Sequence, residues 1–141
     1  MGIIIKEYQF DRLDTSNVTK PIIYCSYPQE IENKAISISI MLAKELKKQN
    51  STMMRTMQLE NDLLNVIEQM DEDPVIKDID VMFNPEYQAD VLKILVSACK
   101  KKPFRLIWPG KYKDGKLYYA EEGYKDYISF DVTNYDVTVI I

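Results

Sequence analysis

The sequence predicts a single α/β domain over residues 1–141, a mostly parallel sheet flanked by helices and followed by a C-terminal antiparallel hairpin. Three observations point there. Runs dense in β-branched and aromatic residues ("PIIYCSY", "VIKDIDVMF", "FRLIW") alternate with stretches whose apolar residues recur every three or four positions. Such alternation implies parallel strands joined by helical crossovers. Beyond them, "KLYYA", "YISFDV" and "VTVII" are short runs separated by "KDG", "EEGYK" and "TNYD", a spacing expected of antiparallel strands. A chain of 141 residues suits one domain and buries roughly 68–70% of its unfolded surface without a disulfide or metal staple.

Taken in order, "GIIIKEY" reads as a short edge strand and the polar "DRLDTSNVTK" as a connection. "PIIYCSY" (21–27) reads as a buried strand. Residues 29–49 carry two patterns. Ile31, Ala35, Ile38, Leu42 and Leu46 fall at helical steps, whereas "AISISI" alternates with period two. A helix is expected for 40–48, with 35–39 open between helix and strand. Asn50-Ser51 offers a cap, and Met53, Met57, Leu64, Ile67 and Met70 continue a helix to about residue 70. Its methionines suit adaptable core packing or a partner-binding face.

"VIKDIDVMF" (75–83) is expected to be a strand. A helix then starts at Asn84 as cap and Pro85 at its first position. Lys100, Lys101 and Lys102 lie at its negative end, and Pro103 stops it. "FRLIW" (104–108) resumes as strand, and "VTVII" is expected inside a sheet.

Composition excludes several chemistries. There is no histidine, which removes Ser-His-Asp and Cys-His catalysis and His-ligated zinc. Cys25 and Cys99 lie among apolar neighbours and read as buried free thiols. No apolar run approaches the ~18–20 residues that span a bilayer, and "MGIIIKEYQF" lacks the basic start of a signal peptide. The expectation is a cytoplasmic protein without a membrane partner, metal or cofactor.

"WPGKYKDGK" (108–116) has three chemical readings. As a phosphate loop it fails, because Lys116 is followed by Leu117 rather than a hydroxyl, and a strand-like run follows where a helix is needed. Asp114-Gly115 between strand-like flanks is instead a hairpin turn. "DGK" also matches half of a metal-dependent nuclease site, with Asp78, Asp80 or Asp90 imaginable as a second acid. The third reading is a binding strip. Lys100, Lys101, Lys102, Arg105, Lys111, Lys113 and Lys116, against Asp114 alone, give +6 (7 − 1) in a chain of net charge −4. Trp108 and Tyr112 interleave, as on surfaces that bind single-stranded nucleic acid. A solvated basic helix end beside a core strand, with Phe104 and Trp108 pointing inward, or an acidic protein partner would account for the same residues.

Phe83-Asn84-Pro85, Trp108-Pro109-Gly110 and the run from Asp114 to Glu121 resemble the C-terminal half of the small P-loop protein of type-3 BREX phage-defence systems. The resemblance covers about fifty residues of segment 75–127. It implies a P-loop- or Rossmann-like sheet and a subunit that works beside other proteins of a defence system. The family's Walker A loop has no counterpart, since "CSYPQEIENKA" (25–35) contains no glycine and its only lysine, Lys34, precedes Ala35. Lys77 also interrupts the apolar run before Asp78. The resemblance therefore implies a relative that kept the sheet and lost the nucleotide.

Overall fold

The computed structural model describes residues 1–13 and 15–141, with no side chain for Ser16, and every absence stated below concerns the described residues. Six short strands form one wholly parallel sheet. They are β1 (Ile3–Ile5), β2 (Ile22–Tyr24), β3 (Ile36–Ser37), β4 (Val75–Lys77), β5 (Arg105–Ile107) and β9 (Thr138–Ile140). Their order is β1-β9-β2-β5-β4-β3. A separate antiparallel sheet, β6-β7-β8, is built from Lys111–Lys113, Lys116–Tyr119 and Ile128–Asp131. The helices are α1 (Glu7–Phe10), α2 (Gln29–Lys34), α3 (Ser39–Lys47), α4 (Thr52–Ile67) and α5 (Val91–Lys101). None is long and apolar enough to cross a membrane.

The period-two alternation of the strands divides the core in two. Ile22, Tyr24, Val75, Ile107 and Ile140 point to one face and meet Phe10 of α1 and Ile31 of α2. Ile23, Ile76, Leu106 and Val139 point to the other, where α3, α4 and α5 pack beside Leu117 and Phe130 of the small sheet. Both sheets thus close one core. The inner strands β2 and β9 are buried on both faces, as strands within a parallel sheet covered on both sides are, whereas the edge strands β1 and β3 keep exposed residues.

The structure corrects several expectations. "VTVII" is not antiparallel: β9 is inserted parallel between β1 and β2, while β8 takes the third antiparallel place. Within 75–83 only Val75–Lys77 is strand. Asp78 enters the left-handed region at φ 62°, and a 3-10 turn at Asp80–Phe83 buries Met82 and Phe83. Asn84 and Pro85 open a second 3-10 turn (Pro85–Tyr87), which ends at left-handed Gln88. Helix α5 begins later, capped by Asp90, whose Oδ1 accepts from the Lys93 amide at 3.1 Å. Two cap signals stand in succession, and the second starts the long helix.

The ambiguous 29–49 stretch holds both patterns, with α2, β3 and α3 in sequence. Ser51 does cap α4, accepting from the Met54 amide at 3.2 Å. The core face of α4 is Leu59, Leu63, Val66 and Ile67, whereas Met53 and Met57 are 71% and 66% exposed. The segment 11–20 is a connection containing a 3-10 turn (Thr15–Asn17), with Asp14 outside the described residues.

Candidate functional site

Adjacent strands β2 and β5 send the chain to opposite sides: β2 leads on to β3 at one edge, β5 to β9 on the other side. In an open α/β sheet this switch makes the crevice beyond the strands' carboxyl ends the ordinary ligand site. The residues that reach it here are Cys25 and Ser26 after β2, Trp108 to Gly110 after β5, and Asp78 after β4.

Their groups already have partners. The Cys25 and Ser26 amides both donate to the Ile140 carbonyl, at 2.9 and 3.2 Å, so they do not form an anion-binding cradle. The Ser26 hydroxyl donates to Glu7 Oε2 at 2.6 Å. Lys77 Nζ lies 3.0 Å from Glu32 Oε1, and the bond to that carboxylate raises the lysine's pKa. Burial, then Glu32, raises that of Tyr27. The Cys25 thiol is pushed up to about 12 by burial, so it is no nucleophile at neutral pH. Cys99 is buried, with Sγ 3.5 Å from the Phe104 carbonyl.

The aspartates considered for a metal are used separately. Asp114 and Gly115 form the turn of the β6–β7 hairpin, at φ 50° and 82°, as Asp-Gly predicts. Asp80 accepts from the Tyr119 hydroxyl at 3.0 Å, and Asp90 from that of Tyr135 at 2.9 Å. No cluster of three or more His, Cys, Asp or Glu is placed to hold a metal ion.

The residues of the basic strip divide according to what holds them. Lys100 and Lys101 close α5 and Lys102 caps it. Lys101 Nζ pairs with Glu60 at 2.6 Å, and Arg105 on β5 donates to Asp73 Oδ2 at 3.2 Å and to the Tyr24 phenol oxygen at 2.9 Å. Lys111, Lys113 and Lys116 are exposed. The pairs Lys113↔Lys116 and Lys111↔Tyr118 set these three lysines and Tyr118 on the outer face of the small sheet. Tyr127 stacks on Tyr118 there, with ring centroids 6.2 Å apart, and Asp131 stands opposite Lys116. Trp108 is only 4% exposed, packed edge-on to Phe83 and Phe130. Tyr112 packs against the core, and its hydroxyl accepts from the Gly115 amide at 3.1 Å. The stacking rings on this face are therefore Tyr118 and Tyr127, in place of Trp108 and Tyr112.

Comparison with protein families, with curated proteins and with solved structures gave no match. The chain's own geometry has to carry the reading.

One feature escaped the sequence. A cleft of about 450 Å³ lies between the 82–91 segment and the consecutive residues 125–130. Its lining includes Phe83, Val91 and Phe130, with Asn84, Gln88 and Ser129 among the polar groups. Nothing in the letters of 125–130 marks them as a cleft wall, because the wall exists only once β8 has become the outer strand of its sheet.

Proposed function

We propose that the protein is a non-catalytic subunit of a bacterial phage-defence assembly of the type-3 BREX kind, working in the cytoplasm through contacts with other protein subunits. Its core would be P-loop-like without a nucleotide site. The subunit part of this reading rests on the resemblance carried by Phe83-Asn84-Pro85, Trp108-Pro109-Gly110 and the run from Asp114 to Glu121. The observation that supports the loss of the nucleotide is the engagement of the Cys25 and Ser26 amides by Ile140, at the switch point where a phosphate cradle would stand. Glu7, which accepts from the Ser26 hydroxyl, adds charge of the sign that repels phosphate. The test is twofold. Titration of the chain with Mg²⁺-ATP is expected to give no heat of binding, and tight Mg²⁺-dependent binding would overturn the non-catalytic part. A pull-down of N-terminally tagged protein from its native host, with nuclease, is expected to recover a stoichiometric set of proteins.

The outer face of the small sheet favours a second reading, a module for single-stranded nucleic acid. Lys111, Lys113 and Lys116 would meet phosphates while Tyr118 and Tyr127 stack on bases. Affinity for an oligonucleotide should fall steeply with salt and vanish in Lys111→Glu/Lys113→Glu. Unchanged affinity in that variant would end this reading.

A further inference from the structure

We propose that the cleft beside β8 is a docking groove for an extended peptide of a protein partner, which adds as a fourth strand to β6-β7-β8. The proposal rests on the protein-contact reading above and supplies it with a surface. Strand β8 pairs only with β7, so its other edge is open. The cleft is lined by six consecutive residues, 125–130. Residues 125–127 lie in the turn before β8 and 128–130 on the strand itself. Successive side chains of a strand point to opposite faces, so a wall that takes in Ile128, Ser129 and Phe130 in succession follows the strand's edge.

The hydrogen-bond alternation shows what that edge offers. Val132 N donates to Gly115 O, and the register pairs Leu117↔Phe130, Tyr118↔Ser129 and Tyr119↔Ile128. In an antiparallel ladder bonded and non-bonded pairs alternate. Counting from Gly115–Val132, the bonded pairs are Leu117–Phe130 and Tyr119–Ile128, and Ser129 falls between them. Its N–H and C=O point away from β7, to the open edge. A donor and an acceptor on one edge residue match the main chain of another strand, the chemistry of strand addition.

The side chains around the cleft define the guest. Phe83, Val91 and Phe130 supply an apolar floor for one side chain, and its neighbours in the strand would face away. Among the charged lining residues, Asp90 and Asp126 stand against Lys125, which favours a Lys or Arg next to the apolar anchor. The inferred partner segment is therefore a short extended stretch with an apolar residue flanked by a basic one.

The test starts by selecting a phage-displayed random heptapeptide library on the full chain and measuring synthetic versions by fluorescence anisotropy. Two perturbations then probe the edge. Ser129→Pro removes the outward N–H and leaves the bonds to β7, since proline is tolerated where the N–H faces outwards on an edge strand. Methylating alternate amide nitrogens of the peptide removes the matching donors without touching the protein, and decides the question even if Ser129→Pro fails to fold. Expected are peptides combining apolar and basic residues, each weakened at least about tenfold by either change. Absence of enrichment, or peptides indifferent to both changes, would overturn the proposal. So would a dimer of the chain that Ser129→Pro dissolves, which would assign the edge to a second copy. If peptides fail while the host pull-down recovers proteins, the groove is wrong and the subunit reading survives. If peptides bind and no host protein is recovered, the reverse holds.

Discussion

The indole Nε1–H of Trp108 donates to the Tyr118 carbonyl at 2.8 Å, tying the end of β5 to β7 and so the large sheet to the small one. Trp108→Phe keeps most of the apolar ring and removes this donor, while Tyr118 keeps its place opposite Lys111 in the ladder. The expected cost is about 0.5–1.5 kcal/mol, read from urea unfolding followed by circular dichroism, since Trp108 is the only tryptophan.

The same junction makes Gly110 irreplaceable. A Cβ there would lie 1.8 Å from the Tyr118 carbonyl oxygen, a backbone atom that cannot swing aside. At Gly115 a Cβ meets nothing within 4 Å, and only the positive φ of 82° opposes it. Gly115→Ala should cost about 1–2 kcal/mol, and Gly110→Ala more than that. The two unfolding midpoints compared side by side check this order.

Alkaline pH should loosen the fold. Burial, followed by Asp80, raises the Tyr119 pKa from an ordinary 10.0 to about 12, and burial with Asp90 does the same for Tyr135. The folded chain then holds these protons more tightly than the unfolded one. Their contribution is fully present below pH 10 and is lost as pH rises through the interval from 10 towards 12. Tyr119→Phe should flatten part of that decline, as measured by unfolding at a series of pH values.

Arg105 and the hairpin lysines should separate in their effects. Arg105→Met strips Asp73 and Tyr24 of a charged donor, at a cost of about 1.5–3 kcal/mol. Lys111→Glu/Lys113→Glu, on an exposed edge, should leave stability within about 0.5 kcal/mol. Thermal melts of the two variants, beside their oligonucleotide affinities, distinguish a structural cation from a binding one.

Helix α4 offers a further contrast. Leu63→Ala opens a cavity in the main core, at an expected 2–5 kcal/mol. Met57→Ala removes an exposed side chain, with an expected change within about 0.5 kcal/mol. A large loss at Met57 in unfolding experiments would contradict its place on the outer face.

The layered α/β plan was legible because β2 and β5 are buried on both faces and read as apolar runs, and because Asp114-Gly115 marks its turn. The start of α5 was misread because Asn84-Pro85-Glu86 carries the same chemistry as a long helix's first turn; only Gln88 in the left-handed region divides the two. Trp108 stayed open between core and surface, because an aromatic beside lysines in the sequence does not say which side of a strand it faces; its burial matches the inward reading. The placement of β9 rests on contacts with residues more than a hundred positions away, which no local pattern records. The cleft at β8 was invisible for the same reason.

Strand β1 joins the large sheet only through β9, with Ile3 opposite Thr138 and Ile5 opposite Ile140. Closing a loop of that length is entropically slow to reward. As the chain leaves the ribosome, β3, β4 and β5 can pair in turn and β2 can join β5, while "III" must wait for residues 138–140 with its apolar side chains exposed. Until then those isoleucines stay open to other chains, and this closure would be the step that heat interrupts first.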